Sequence, residues 1–164
     1  MAVSIFPGCL AAYRFPEYEK SASLVLGALG MPPVFVGSFT CCGSQVAESA
    51  DDMFLLALGA RNLAIAQAHG VDTLVCLCGS CTYELLRAKE RIGNPFTEAR
   101  INRMLAPEGL RYDAEKPLRV KHVLEILLFE RAAGRLGRFC TRKIGVRAAV
   151  QEPCNAFRPE RLHP

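Results

Sequence analysis

A chain of 164 residues can bury one ordinary core, and with 51% hydrophobic and 22% charged residues it has the composition of a folded globular domain. No apolar run approaches the roughly 20 residues of a membrane-spanning helix, and the opening Met1-Ala2-Val3-Ser4-Ile5-Phe6 lacks the leading positive charge of a signal peptide. The net charge of +4 is modest, and its excess, gathered after Arg87, comes without aromatic–basic interleaving; nucleic acid is disfavoured against a solvated face or a docking face for an acidic partner subunit.

Short apolar runs alternate with helical patterns, which predicts an α/β fold: a Rossmann-like or flavodoxin-like parallel sheet with flanking helices. The first strand is expected over 2–6, ending in Pro7-Gly8-Cys9. A helix over 17–29 follows, with Tyr18, Ala22, Val25 and Leu29 on one stripe and Gly30 as its C-terminal cap. The second strand is expected over 34–36, and 37–44 is a loop. The clearest helix runs over 51–69, with Asp51 and Asp52 suited to its first turn and Gly70 to its end. A third strand over 71–75 leads into Cys76-Leu77-Cys78-Gly79-Ser80-Cys81, then a helix over 82–91. Asn94-Pro95 reads as an N-cap with proline in the first turn. Residues 106–117 form a polar connection, 121–133 a further helix and 146–151 a last strand candidate.

Five of the eight cysteines, Cys9, Cys41, Cys42, Cys78 and Cys81, run in the order C-x31-C-C-x35-C-x-x-C. Each group follows a strand and precedes a helix. Loops at the C-terminal strand ends of an open parallel sheet gather at one edge, so three remote groups can meet there. The helices that follow can aim N-terminal N–H groups at the site. Thiolates collected in this way bind iron–sulfur clusters or zinc. Structural zinc takes four ligands, which makes a fifth surplus, and neighbouring residues about 3.8 Å apart with diverging side chains reach two metal atoms more readily than one. The count favours a multi-iron cluster, with zinc as the alternative, and the spacing leaves open whether four or five thiolates hold it. Without export, the chain is expected to be cytoplasmic, where thiols stay reduced instead of forming a disulfide framework.

The stretches Pro7-Gly8-Cys9, Cys41-Cys42-Gly43, Ala60-Arg61-Asn62-Leu63, Cys78-Gly79-Ser80-Cys81 and Val120-Lys121-His122-Val123-Leu124-Glu125 together resemble the CCG cysteine-rich domain family: the B-type subunit of heterodisulfide reductase (CoB–CoM heterodisulfide reductase) and its relatives. The resemblance implies a noncubane [4Fe–4S] cluster on the five cysteines, through which a disulfide such as CoM-S-S-CoB is reduced. It also implies electrons from a partner iron–sulfur subunit within a larger complex. No G-x-G-x-x-G is present, so a flavin, if used, belongs to another subunit. Two other readings stand beside this one: an electron-relay or assembly module without substrate chemistry, and a zinc-stabilised structural domain.

Residues 1–140 are expected to form the cluster domain. Cys9 with Tyr13-Arg14-Phe15-Pro16-Glu17 is echoed by Cys154 with Phe157-Arg158-Pro159-Glu160, so 141–164 reads as the start of a second copy that stops before its own paired cysteines. Members of the family that cleave the disulfide between two facing clusters need both halves, so turnover by this chain alone is not expected.

Around the five thiols, Gly8, Gly43 and Gly79 would let the backbone approach a bulky cofactor, besides serving ordinary turns. Ser80, Ser44 and Thr82 would donate hydrogen bonds to it or cap loops and helices. Cys76 reads as a buried spectator, Cys140 has no partner pattern, and Cys154 lacks the partners of a second site. His69 suits a helix end, His122 packing or hydrogen bonding, and His163 lies near the chain terminus.

Overall fold

A computed structural model describes residues 2–140, 142 and 144–149, without the side chain of Gln45. Strands β1 (Val3–Phe6), β2 (Pro33–Val34), β3 (Thr73–Cys76) and β4 (Arg119–His122) form one parallel sheet in the order β2-β1-β3-β4. That is the order of a flavodoxin-like doubly wound sheet. Helices α1 (Gly8–Arg14) and α2 (Pro16–Ala28) join β1 to β2, and α3 (Ser44–Ala50) and α4 (Asp52–Ala68) join β2 to β3. Next, α5 (Gly79–Ile92) and α6 (Pro95–Leu105) join β3 to β4, and α7 (Val123–Ala132) follows.

The central strands β1 and β3 pair over their whole length, Val3 opposite Thr73 through Phe6 opposite Cys76, and every residue of both is buried. A parallel strand covered on two faces has no solvent side, so both are largely apolar, and the buried Ser4 donates its hydroxyl to Val34 O at 2.9 Å. Alternation then divides the side chains between two layers. Val3, Ile5, Val75 and Leu77 pack with Ala11, Ala22, Leu26 and Val123 from α1, α2 and α7. Phe6, Leu74 and Cys76 point the other way, into a core with Leu63, Leu85 and Ile101 from α4, α5 and α6. The helices change faces because the chain changes direction: it steps outward from β1 to β2, then returns past β1 to β3. Right-handed crossovers in opposite directions put their helices on opposite faces and open a crevice beyond the C-terminal ends of β1 and β3.

Local chemistry sets the helix ends. Asp51 Oδ1 accepts from Phe54 N at 2.7 Å to start α4, and Gly70 beyond its end has φ +67°. Asn94 Oδ1 accepts from Phe96 N at 2.9 Å and Pro95 opens α6. Gly30, with φ +79°, closes the second helix.

Several elements depart from the sequence reading. Residues 119–122 extend the sheet, so the helix expected from 121 begins only at Val123. The charged Arg119 and Lys121 hide a strand there, whose Val120 is buried opposite Leu74. His122 is the boundary: its Nδ1 accepts from Leu124 N at 3.2 Å, while its own N–H donates to Glu125 Oε1 at 2.9 Å. Strand β2 is only Pro33–Val34 rather than 34–36, an edge strand in which proline cannot donate to the ladder. On α2 the core takes Ala22 and Leu26, whereas Tyr18 is exposed and Val25 and Leu29 are partly so. Helix α3 has no counterpart in the sequence reading. Helix α5 starts at Gly79 instead of 82, because both Thr82 N and Thr82 Oγ1 donate to Cys78 O, at 2.9 Å each, and pull the C-x-x-C into its first turn. Residues 146–149 carry no strand, and 150–151 lie outside the described residues with Cys154, His163 and most of the expected second repeat.

Candidate metal centre

All three cysteine groups lie at the C-terminal edge of the sheet. Cys9 is in the first turn of α1, three residues beyond β1. Cys41 and Cys42 end the loop from β2 and precede α3. Cys78 and Cys81 follow β3, the first at the N-cap of α5 and the second in its first turn. The five sulfurs differ in access to water. Cys42 and Cys81 are 2% and 4% exposed, Cys78 is partly buried, and Cys9 and Cys41 are exposed.

Within this edge the thiols form a trio and a pair. Cys42 Sγ lies 3.3 Å from Cys81 Sγ, and Cys81 also hydrogen-bonds Cys78. Hydrogen bonding to Cys42 and then to Cys78, with burial, pushes the pKa of Cys81 far up. Its two neighbours move the other way. Cys78 is brought down to about 5 by Cys81, helped by the N–H groups of Cys81 and Ser80 at the start of α5 and by the Ser80 hydroxyl, against the cost of burial. Cys42 is lowered by Cys81 first and by the N–H of Ser44. The pair is Cys9 with Cys41, whose thiol is raised by partial desolvation and by Cys9, while the N–H of Gly43 donates to its sulfur at 3.4 Å and lowers it.

The two subsets meet across Gly8. Its φ is +69°, and a β-carbon there would stand 2.8 Å from Cys81 Sγ. Gly43, φ +87°, is closed in by Ala47, Leu58 and Leu55, and Ser44 beside it also has a positive φ of 45°. Gly79 takes no such conformation and is simply the first residue of α5. Cys76 is fully buried on the α4–α5 face of β3, and burial pushes its thiol up, so it stays protonated. Cys140 is exposed and lies beyond α7. His69 Nδ1 meets Ile65 O at 2.9 Å at the end of α4, a capping role.

Among the described residues, no three His, Cys, Asp or Glu side chains close on the position of one metal ion. A pair and a trio of sulfurs, with backbone N–H donors aimed at three of them and a bare Cα at Gly8 between the subsets, fit an assembly with several metal atoms. Such donors stabilise an electron-rich sulfur-ligated group.

Beside the pair, a groove of about 760 Å³ runs from Cys9 and Cys41 along α1, α2 and the β2 edge. Its walls include Tyr13, Leu24, Val34 and Phe35, with Lys20 and Glu19 as its charged groups. The sequence reading missed this feature, because strand order alone decides that β2 is an edge. It also gave no role to Arg61 and Asn62, which hydrogen-bond the loop ahead of Cys41. Among the described residues no helix is long and apolar enough to cross a membrane.

The chain is similar to the B-type subunit of the ferredoxin/F(420)H(2)-dependent CoB-CoM heterodisulfide reductase of Methanosarcina acetivorans, 29% identical over 161 residues, 97% of this chain and 53% of that protein. It is likewise 29% identical over 163 residues to a protein of Archaeoglobus profundus named as like the B-type heterodisulfide reductase subunit, covering 98% of this chain and 54% of that one. An 8-methylmenaquinol:fumarate reductase membrane anchor subunit of Wolinella succinogenes is 30% identical over 109 residues, 66% of this chain and 38% of its own. The chain thus spans about half the length of the two heterodisulfide reductase relatives. The crystal structure of a hypothetical protein from Helicobacter pylori shares the fold, with a TM-score of 0.67 at 24% identity over 77% of this chain and 25% of that one. Residues 3–86, which include all five clustered cysteines, match the cysteine-rich domain family CCG, and the chain belongs to that family.

Proposed function

We propose that this chain is an iron–sulfur redox subunit of a heterodisulfide reductase-like complex, with Cys9, Cys41, Cys42, Cys78 and Cys81 holding a noncubane [4Fe–4S] cluster. The observation that supports it most is the gathering of three remote cysteine loops at one sheet edge, with Cys42 and Cys81 at 3.3 Å. When bound, such a cluster would pass on electrons one at a time, so that two such transfers make up the two electrons needed to cleave a disulfide to two thiols, and would offer an iron that can take a thiolate. The protein's own part is binding and access. Cys42, Cys81 and half-buried Cys78 anchor the group on its protein side, out of water, where Ser44, Ser80 and Cys81 supply N–H donors. Cys9 and Cys41 sit on the open side, at the end of the groove, and a disulfide with apolar arms would reach the site along Tyr13, Leu24, Val34 and Phe35.

The heterodisulfide reductase relatives are named as subunits, and electrons would reach this chain from an iron–sulfur donor subunit, with any flavin held elsewhere in the complex. Residues 1–140 act as the cluster-binding domain. Anaerobic purification with iron, zinc and acid-labile sulfide counts and EPR tests the reading. Expected are about four irons and a matching amount of sulfide per chain. Zinc without sulfide, or colourless metal-free protein with every thiol free, would overturn it.

A further inference from the structure

We propose that Asn62, assisted by Arg61, is the positioning residue for the Cys41–Cys42 pair. The inference rests on the cluster-binding reading of those cysteines and assigns a task to residues outside the sulfur set. Residues 35–43 carry neither strand nor helix, yet they must deliver two adjacent thiols to partners on α1 and at the start of α5. Their side-chain anchors to the rest of the fold come just before the pair. Thr40 N donates to Asn62 Oδ1 at 2.9 Å. Arg61 donates to Ser38 O at 3.3 Å and to Thr40 Oγ1 at 3.2 Å, and is itself held by Glu108 at 2.7 Å. Phe39 meets the Phe6 ring edge-on at 5.3 Å.

Asn62 stands out on energetic grounds. It is 0% exposed in the middle of α4, flanked by the core residues Ala60 and Leu63. Asparagine is a poor residue for a helix interior and costly to bury without partners, whereas leucine would suit both the helix and the core. Both polar atoms of its amide are nonetheless bonded: Nδ2 donates to Leu58 O at 3.0 Å, which holds the rotamer, and Oδ1 is thereby turned toward Thr40. The rigid helix thus passes its position to the backbone next to Cys41. Thr40 is exposed, so water can replace the lost bond, and removing Asn62 should loosen the loop more than it unfolds the domain.

Gln67 provides the control. It is equally part of α4 and buried, but its amide bonds Asp113 N and O and Lys116 O, far along the chain from any clustered cysteine. Asn62→Leu, Gln67→Leu and Arg61→Met are purified anaerobically with cluster loaded, and EPR line shape and the rate of iron loss to a chelator are recorded beside thermal unfolding. Asn62→Leu is expected to alter the EPR signal and speed iron loss about tenfold, the scale of one ordinary hydrogen bond. Arg61→Met should follow by about threefold, and Gln67→Leu should lower the melting temperature with signal and release unchanged. Identical behaviour of the two leucine variants overturns the assignment. If Asn62→Leu does not fold, Arg61→Met decides: release faster than in Gln67→Leu supports the role, equal release overturns it. A wild-type protein without iron would instead refute the cluster itself.

Discussion

Gly8 and Cys81, 73 residues apart in the chain, lie so close that a β-carbon on the glycine would stand 2.8 Å from the cysteine sulfur. Cys81 is buried in the first turn of α5, and turning its sulfur away would break its contacts with Cys42 and Cys78. Gly8→Ala therefore meets two penalties, about 1–2 kcal/mol for an L-residue at φ +69° and a collision with the Cys81 sulfur. Gly70→Ala separates them, since Gly70 has φ +67° and open space around its Cα. Both variants should unfold at lower denaturant, but only Gly8→Ala should lose iron and sulfide.

Cys42 and Cys76 are both buried cysteines near α5, and they should behave oppositely. Cys42 faces Cys81 and is held toward the thiolate, whereas Cys76 is held protonated by burial on β3. Cys42→Ser is expected to abolish or change the EPR signal and lower the iron count. Cys76→Ala should keep both and lose about 1 kcal/mol of stability, the small cavity left by a sulfur. Loss of iron in Cys76→Ala would make it a sixth ligand.

What the sequence makes legible here is what local chemistry decides. The alternation of apolar runs and helices, Asp51 at a helix start, Asn94 as a cap, Gly30 and Gly70 as stops, and three cysteine loops following three strands are all set within a few residues of themselves. What it hides depends on neighbours remote in the chain. Lys121 and His122 read as the start of the helix that follows, yet pairing with β3 makes them strand. Phe35 looks like a core residue and is 87% exposed, because β2 ends the sheet. Asn62 stands in a stretch that marks the family, yet its task is hidden, since its partner is the backbone N–H of Thr40, brought to it by the loop.

Asp52 at the start of α4 should contribute a pH-dependent part of the stability. Arg91 grips both its oxygens at 2.7 and 2.6 Å and Arg87 adds a contact at 3.2 Å, and the hydrogen bond from Arg91 holds its carboxyl below the ordinary range. A lowered native pKa means the stabilisation is complete above the unfolded value near 3.9 and disappears as pH falls through the native one. The pair is half exposed, so its worth is only about 0.2–1 kcal/mol. In metal-free, reduced protein, Asp52→Asn should be less stable than wild type by that amount at pH 7, and the gap should close in acid. Urea unfolding at several pH values measures it, and a gap that widens in acid would contradict the assignment.

The groove gives the last prediction. If substrate reaches Cys9 and Cys41 along the β2 edge, Phe35 forms part of the wall that a disulfide's apolar arm would cover. Covering an aromatic side chain of this size is worth about 1.5–3 kcal/mol, so Phe35→Asp should weaken binding tenfold or more. The side chain is already exposed, and the change costs the fold little. Phe96→Asp on α6 is the matched control: that ring is 86% exposed and lies outside the groove. Titrating cluster-loaded protein with dithiodibutyrate, followed by the change in its visible spectrum, should give a raised Kd for Phe35→Asp and an unchanged one for Phe96→Asp, with equal iron in all three proteins. Equal affinities would remove the groove from the substrate path and leave the cluster assignment standing.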